Sequence, residues 1–216
     1  MRFGNLVEIS NAVAATRSRK TKISLLADCL RALSKTEAPI TVAYLASELP
    51  QGRFGVDNAG LRLAAGSAAN ADAAPAARPL SIRDVHQAVE AGVGSQSRCA
   101  ALLEQLFSRA TSAEGSFLRA LLMGELRQGA LQGVMSDTLA RATETPVAVV
   151  RKAAMLTGSL VTAGARLLAE GQKSLAALRL AVLQPLQPML AQSADSVGAA
   201  LARTGRASVA PKLDGA

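Results

Sequence analysis

Apolar positions in this chain of 216 residues recur mainly at the three- and four-residue spacing of an α-helix. The pattern is clearest over residues 97–110, where Leu103, Leu106 and Phe107 share one face with Cys99. The main part of the chain is therefore predicted to be all-α. Helices are predicted over residues 20–33, 41–49, 81–89, 97–110, 117–124, 145–155 and 159–169, with another starting near Gly129 or Ala130 and a short one over 194–202.

Polar residues, prolines and glycines predict where several of these helices begin and end. Thr41 is expected to cap the helix that follows it, because a hydroxyl can accept a hydrogen bond from a free backbone N–H. Ser81, with Asp84 three residues later, predicts another helix start. Pro146 suits the first position of a helix. Gly171 is expected to close the helix over residues 159–169.

Two segments interrupt the helical pattern. Residues 64–79 are rich in Ala, Gly, Ser, Asn and Pro without apolar periodicity, and are predicted to form a flexible linker or surface loop. Residues 178–190 contain two prolines three positions apart and are expected to form an extended connector. We therefore predict a helical domain over residues 1–175. The remainder, residues 176–216, is expected to contain a strand over 206–210.

The charge of the chain points towards a polyanionic partner. Twenty-four Lys and Arg residues against 16 Asp and Glu residues give a net charge of +8 and an isoelectric point near 10.3. Aromatic residues make up only 2% of the chain, which argues against a protein that stacks single-stranded bases on aromatic rings. The composition thus favours contacts with a duplex backbone.

The cysteines and the histidine do not form a recognisable site. Cys29 and Cys99 are seventy positions apart, and His86 is the single histidine, so no zinc site is expected. Cys99 lies on an apolar face and is predicted to be a buried, reduced thiol. No long apolar segment predicts a membrane span or a signal peptide. We expect a cytoplasmic, nucleoid-associated monomer that does not bind membranes.

Residues 117–134 contain the best candidate for phosphate binding. A short apolar helix is predicted to break at Gly124, and Arg127 and Gln128 lie between it and Gly129. Glycine allows a close approach of the backbone, the following helix start offers free N–H groups, and Arg127 offers a fork of donors. An ordinary packing corner between two helices accounts for the same pattern.

Further candidates for phosphate contact lie elsewhere in the chain. Ser95, Ser97 and Arg98 precede or open the helix over 97–110, where a plain N-cap is the alternative interpretation. Arg53 lies in a glycine-containing turn, and Lys152 lies on the polar flank of the helix over 145–155. The cations of the first predicted helix, Arg17, Arg19, Lys20 and Lys22, are interpreted as a solvated surface unless an anion lies near.

Five stretches together resemble the ATP-dependent DNA ligases, most closely the bacterial members. GELRQG resembles a helix–loop–helix segment of their N-terminal DNA-binding domain, and LPQGRFGV resembles a turn of that domain. GSQSR resembles the segment that opens its next helix. PMLA and KLDG resemble the entry to the nucleotidyltransferase domain and its KxDG motif. The corresponding residues are 124–129, 49–56, 94–98, 188–191 and 212–215.

The resemblance implies a function for each part of the chain. Residues 1–175 would be the DNA-binding domain, contacting nicked duplex DNA through its phosphates, and residues 176–216 the connector and the incomplete start of an α+β nucleotidyltransferase domain. Lys212 would be the nucleophile that attacks the α-phosphate of ATP and carries AMP to the nick. Asp214 and Gly215 would shape its turn and help bind the nucleotide. The complete enzyme would require ATP and Mg²⁺.

Two departures from the family pattern limit the expected activity. Ala210 occupies the position where the family usually has a glutamate that helps to recognise adenine. The chain also stops at Ala216, shortly after the KxDG motif, so we expect a truncated product that binds duplex but does not ligate or label itself with AMP. The alternatives are a helical interaction module without catalysis, or a fragment of another KxDG nucleotidyltransferase such as an RNA ligase or capping enzyme.

Overall fold

The computed structural model describes residues 1–49, 79–92, 96–126, 129, 132–180, 182–183 and 193–207. Nearly all of the regular structure in these residues is helical, which confirms the all-α prediction. The helices are α1 (Phe3–Ala15), α2 (Arg19–Arg31), α3 (Ala38–Leu45), α4 (Ile82–Gly92), α5 (Gln96–Arg109), α6 (Ser112–Leu122), α7 (Gln132–Ala142), α8 (Val147–Thr157), α9 (Leu160–Glu170), α10 (Gln172–Ala176) and α11 (Val197–Thr204).

Side-chain caps fix the starts of several helices. The Ser81 hydroxyl accepts a hydrogen bond from the Asp84 N–H at 3.1 Å, and the Asp84 carboxylate accepts one from the Ser81 N–H at 3.0 Å. This reciprocal cap confirms the predicted start of α4. Thr111 and Glu114 form a second reciprocal cap at the start of α6, which the sequence reasoning did not identify. Ser159 caps α9, and that helix ends at Gly171 as predicted.

The predicted starts of α3 and α8 were wrong, and two helices were not predicted. Thr41 is not an N-cap: it lies inside α3, and its hydroxyl donates to the Glu37 carbonyl at 2.9 Å. Pro39 sits in the first turn of α3, so the helix begins earlier than expected. The described part of α7 begins at Gln132, and residues 130 and 131, where its start was predicted, lie outside the described residues. Pro146 occupies the N-cap of α8 rather than its first helical position. Helices α1 and α10 were not predicted at all.

Helices α2 and α7 pack side by side and run in the same direction. Near their starts, the Arg19 guanidinium donates to the Gly133 carbonyl at 3.0 Å. Near their ends, the Arg31 guanidinium donates to the Arg141 carbonyl at 2.7 Å. The first turns of both helices therefore lie at one end of the pair, and this arrangement positions the candidate site.

The remaining helices surround this pair. Helix α7 also packs on α8, α8 on α9, and α9 on α3, where Gly164 allows close approach. Helix α1 packs on α2 and α6, and the rings of Phe3 and Phe117 meet edge to face with centroids 5.5 Å apart. The Phe3 N–H also donates to the Leu80 carbonyl at 2.8 Å, which joins the amino terminus to the start of α4. Leu, Val and Ala side chains fill most of the core, as the composition predicts.

The described residues beyond α10 contribute little to this core. Leu175 is buried, whereas Leu180, Val182 and Leu183 are exposed. Helix α11 confirms the short helix predicted over 194–202, although it begins three residues later, and none of its residues is buried. Arg206 and Ala207 are not in a strand, and residues 208–210 of that predicted strand lie outside the described residues, as do most of the linker over 64–79 and most of the connector. In the described part of the chain no helix is long and apolar enough to cross a membrane.

Candidate nucleic-acid interface

The starts of α2 and α7 bring cations next to the glycine-containing loop that precedes α7. Gly129 has a φ of +72°, a backbone conformation that side chains rarely adopt. The Lys22 Nζ lies only 2.6 Å from the position that a Cβ at residue 129 would take. A lysine of α2 therefore lies against the loop that sequence analysis singled out, although the two are 107 positions apart in the chain.

Gly124 closes α6 in a left-handed backbone conformation. Its φ is +69°, its N–H donates to the Leu121 carbonyl at 3.1 Å, and the Glu125 N–H donates to the Ala120 carbonyl at 2.7 Å. These two bonds form a Schellman motif, in which a left-handed residue satisfies the last carbonyls of a helix. No atom of the described residues lies within 4 Å of a Cβ built at Gly124, so in this part of the structure its positive φ is the reason for the glycine.

The loop is also anchored on α3. Ser47 has a φ of +60° and closes α3 by the same pair of bonds, from Ser47 N–H to the Tyr44 carbonyl and from Glu48 N–H to the Ala43 carbonyl. The Ser47 hydroxyl then donates to the Leu126 carbonyl at 2.9 Å. The ends of α3 and α6 are thus tied together one residue before Arg127.

Two arginines from different helices converge on one carboxylate of α7. The Arg19 Nη2 lies 2.8 Å from the Asp137 Oδ2, and the Arg151 Nη2 of α8 lies 3.1 Å from the Asp137 Oδ1. The side chains of Arg19 and Arg151 remain 55% and 58% exposed, whereas that of Asp137 is 26% exposed. Both guanidinium groups can therefore still be reached from solvent.

A cavity of about 570 Å³ lies between the start of α7 and helix α8. Gln132 and Gly133 line one side, and Arg151 and Lys152 line the other. Val147, Ala148, Ala154, Met155 and Leu160 are the apolar residues of its lining. The predicted phosphate ligand Lys152 is thereby placed beside the first turn of α7.

The electrostatics of this region favour an anion. A helix start carries partial positive charge and free N–H groups, so cations there are unfavourable unless a negative group is near. Here two helix starts lie together, with the exposed Arg17, Arg19 and Lys20 at the start of α2. We refer to the surface formed by the first turns of α2 and α7 and by Arg151 and Lys152 as the basic surface.

Only some of the predicted phosphate ligands lie at or beside the basic surface. Lys152 belongs to the basic surface, and Gly124 and Gly129 lie in the loop beside it. Arg98 is exposed in the first turn of α5, and no hydrogen bond or ion pair among the described residues joins it to the basic surface. Ser97 lies in the same turn, but its side chain is outside the described part. Arg53, Ser95, Arg127, Gln128, Lys212, Asp214 and Gly215 also lie outside the described residues.

Sequence reasoning missed the convergence on Asp137. Arg19 was interpreted as part of a solvated surface, but Asp137 lies 118 positions from it and 14 positions from Arg151. Nothing in the local pattern indicates that the three residues meet, because the packing of α2 and of α8 on α7 creates the contacts. Asp137 and Arg151 lie on two different helices with a turn between them, so helical periodicity does not predict that they are in contact.

The thiols are not part of this region's chemistry. Cys29 and Cys99 are both free and buried, and the burial predicted for Cys99 is confirmed. Burial raises the pKa of the Cys29 thiol to about 11, and it also raises that of Cys99. Within the described ranges, no group of three or more His, Cys, Asp or Glu side chains is placed to hold a metal ion.

The chain is similar over its whole length to proteins named probable DNA ligase. The relative from Anaeromyxobacter sp. strain Fw109-5 is 44% identical over 221 residues, covering 100% of this chain and 42% of the relative. That from Streptomyces avermitilis is 43% identical with the same coverage, and that from Anaeromyxobacter dehalogenans strain 2CP-1 is 44% identical over 225 residues, covering 43% of the relative. The chain thus spans about two fifths of the length of these relatives. No family model matches it.

Proposed function

We propose that this chain, which belongs to the DNA ligase family, is the DNA-binding part of an ATP-dependent DNA ligase and binds duplex DNA through its phosphates. The observation that carries the proposal is the convergence of two helix starts with Arg19, Lys22, Arg151 and Lys152 on the basic surface. Phosphates are the anions that such a surface accommodates best, since helix N–H groups and guanidinium forks both donate to their oxygens.

Backbone contacts rather than base contacts suit this surface. The described helices present no exposed Phe, Tyr or Trp on which a base would stack, and the candidate donors are arginines, lysines and backbone N–H groups. Such donors position a protein on a duplex without reading sequence. We therefore propose binding that is insensitive to base sequence, with Arg53, Ser95, Ser97, Arg98, Arg127 and Gln128 as further phosphate ligands.

The sealing of nicks is proposed for a complete protein of the relatives' length. There Lys212 would be the nucleophile, Asp214 and Gly215 would help to place it, and ATP and Mg²⁺ would be required. We propose that the 216-residue chain binds duplex but does not react with ATP. Incubation with ATP labelled on the α-phosphate tests this, and label that depends on Lys212, as shown by its loss in Lys212→Ala, would contradict the proposal.

A binding titration with matched variants tests the proposed interface. Fluorescence anisotropy with a nicked duplex, repeated at several salt concentrations, should show affinity that falls steeply with salt. Lys152→Ala should weaken binding and lower the salt slope by about one. Lys35→Ala removes the same charge from the turn beyond α2, at the far end of that helix, and should have little effect. Equal effects of the two substitutions would mean that net charge alone drives binding.

Arg127 provides a second test within the proposed loop. If it contacts a phosphate, Arg127→Ala should weaken binding to duplexes of different sequence about equally and lower the salt slope by about one. A loss confined to particular sequences would contradict backbone binding. An unchanged affinity would mean that residues 124–129 form only a packing corner between two helices. The cap at Gly124 is consistent with that role.

The domain division is proposed on the same basis. Residues 1–175 would fold by themselves, because Leu175 is the last buried side chain among the described residues, only Leu178 beyond it packs on the core, and α11 buries nothing. We also propose that the protein is a monomer that works in the cytoplasm at the nucleoid. Limited proteolysis should cut after roughly residue 178 and leave a helical fragment. Protection of the chain through residue 212 would place the boundary elsewhere.

A further inference from the structure

We propose that Asp137 is an internal counter-ion that occupies Arg19 and Arg151 in the free protein and is exchanged for a DNA phosphate when duplex binds. This inference rests on the proposed function. Its basis is that each carboxylate oxygen of Asp137 accepts from a different arginine, at 2.8 Å and 3.1 Å, on a surface whose other charged groups are cations and helix starts.

Carboxylate and phosphate oxygens compete for the same guanidinium donors. In the free protein Asp137 neutralises part of the charge of two exposed arginines, which lowers the attraction of the basic surface for DNA. A phosphate that binds Arg19 or Arg151 must displace this carboxylate or share the guanidinium with it. Asp137 therefore weakens binding and limits it to ligands that present several phosphates at once.

The contacts of Arg19 indicate that removing the charge of Asp137 should strengthen DNA binding. Its Nη2 donates to the Gly133 carbonyl at 3.0 Å as well as to Asp137, so the backbone of α7 holds the guanidinium in place without the carboxylate. An asparagine at 137 keeps an oxygen that can accept from Arg151 but has no charge. Asp137→Asn thus removes the competition while leaving the arginines near their present positions.

The test compares two matched substitutions by anisotropy with a nicked duplex. Asp137→Asn should bind about three- to tenfold more tightly at roughly 0.1 M salt, with a salt slope steeper by about one, because the arginines are no longer neutralised before binding. Asp28→Asn is the control, since Asp28 pairs with Arg31 at 2.8 Å near the other end of α2 and its substitution changes the net charge equally. A gain no larger than that of Asp28→Asn would overturn the proposal.

Dependence on the arginines supplies the second criterion. In an Arg19→Ala, Arg151→Ala background, Asp137→Asn should give no more gain than Asp28→Asn; a persistent larger gain would also overturn the proposal. Helical circular dichroism checks folding, and Asp137→Ser replaces the asparagine variant if that variant does not fold. If neither the wild type nor the variant binds duplex, both this inference and the proposed function are wrong. If the wild type binds and the variant gains nothing, only this inference is wrong.

Discussion

The Ser47 hydroxyl donates a hydrogen bond of 2.9 Å to the Leu126 carbonyl, across 79 positions of the chain. This bond joins two helix ends of the same kind, the left-handed closure of α3 at Ser47 and that of α6 at Gly124. The position of the loop before α7, and with it the proposed phosphate ligand Arg127, thus depends on a serine whose backbone conformation would suit a glycine.

Ser47→Ala should lower the free energy of unfolding by about 0.5–1.5 kcal/mol, since the Leu126 carbonyl loses its donor. Ser47→Gly loses the same hydrogen bond but removes the cost of a left-handed side-chain residue, about 1 kcal/mol. The glycine variant should therefore be the more stable of the two. Urea denaturation measures both, and an alanine variant as stable as wild type would show that the bond contributes nothing.

Gly164→Ala should destabilise the protein, because α9 meets α7 and α3 at this position. An added Cβ would lie 2.8 Å from one methyl group of Leu139, 3.0 Å from the other and 3.4 Å from a methyl group of Val42. All three residues are in the interior, so we expect a loss of about 1–3 kcal/mol. Gly115→Ala is the control in α6, where the nearest atom would be 3.6 Å away; there a small gain from helix propensity is expected in thermal unfolding.

Some helices and caps of this fold can be predicted from the sequence, whereas others cannot. Helices α2, α4, α5, α8 and α9 follow from their apolar stripes, and the cap at Ser81 follows from a local pair of residues. Helix α3 was misjudged because seven of its eight residues are buried, so it has no polar face to reveal its phase, and the hydroxyl of Thr41 turned inward. A pattern of polar and apolar positions indicates a helix only where one side faces water.

The candidate site was predictable in its residue types but not in its assembly. Glycines and cations near residue 124 and Lys152 pointed to phosphate chemistry. The contact of Lys22 with the loop at Gly129, and that of Arg19 with Asp137, arise because α2 and α7 run parallel. Arg151 reaches Asp137 because α8 packs on α7. The relative direction of two helices 100 residues apart is set by tertiary packing, which local spacing does not encode.

Tyr44→Phe should leave the protein as stable as the wild type or stabilise it by up to about 1 kcal/mol. The Tyr44 side chain is fully buried in α3, and its hydroxyl has no hydrogen-bond partner among the described residues. Burial raises the pKa of this hydroxyl, which stays protonated. Thr41→Val is the matched control: the Thr41 hydroxyl, on the same helix, is bonded to the Glu37 carbonyl, so its loss should cost about 0.5–1.5 kcal/mol. A clear loss of stability in Tyr44→Phe would mean that the hydroxyl is hydrogen-bonded.

Cys29 should resist thiol reagents in the folded protein and react quickly once the protein is unfolded. The thiolate is the reactive form, and burial raises the pKa of the Cys29 thiol from 9.0 to about 11. At pH 9 the folded protein should therefore hold about one thiolate in a hundred at this position, against about half in the unfolded chain. Labelling with iodoacetamide in the presence and absence of urea, followed by mass spectrometry of the Cys29 peptide, checks this expectation.

The raised pKa of the Cys29 thiol also makes the free energy of unfolding fall above pH 9, because the unfolded state loses the proton first and the folded state keeps it until about pH 11. Cys29→Ala should reduce the alkaline loss of stability, and an unchanged pH dependence would show that other groups cause it.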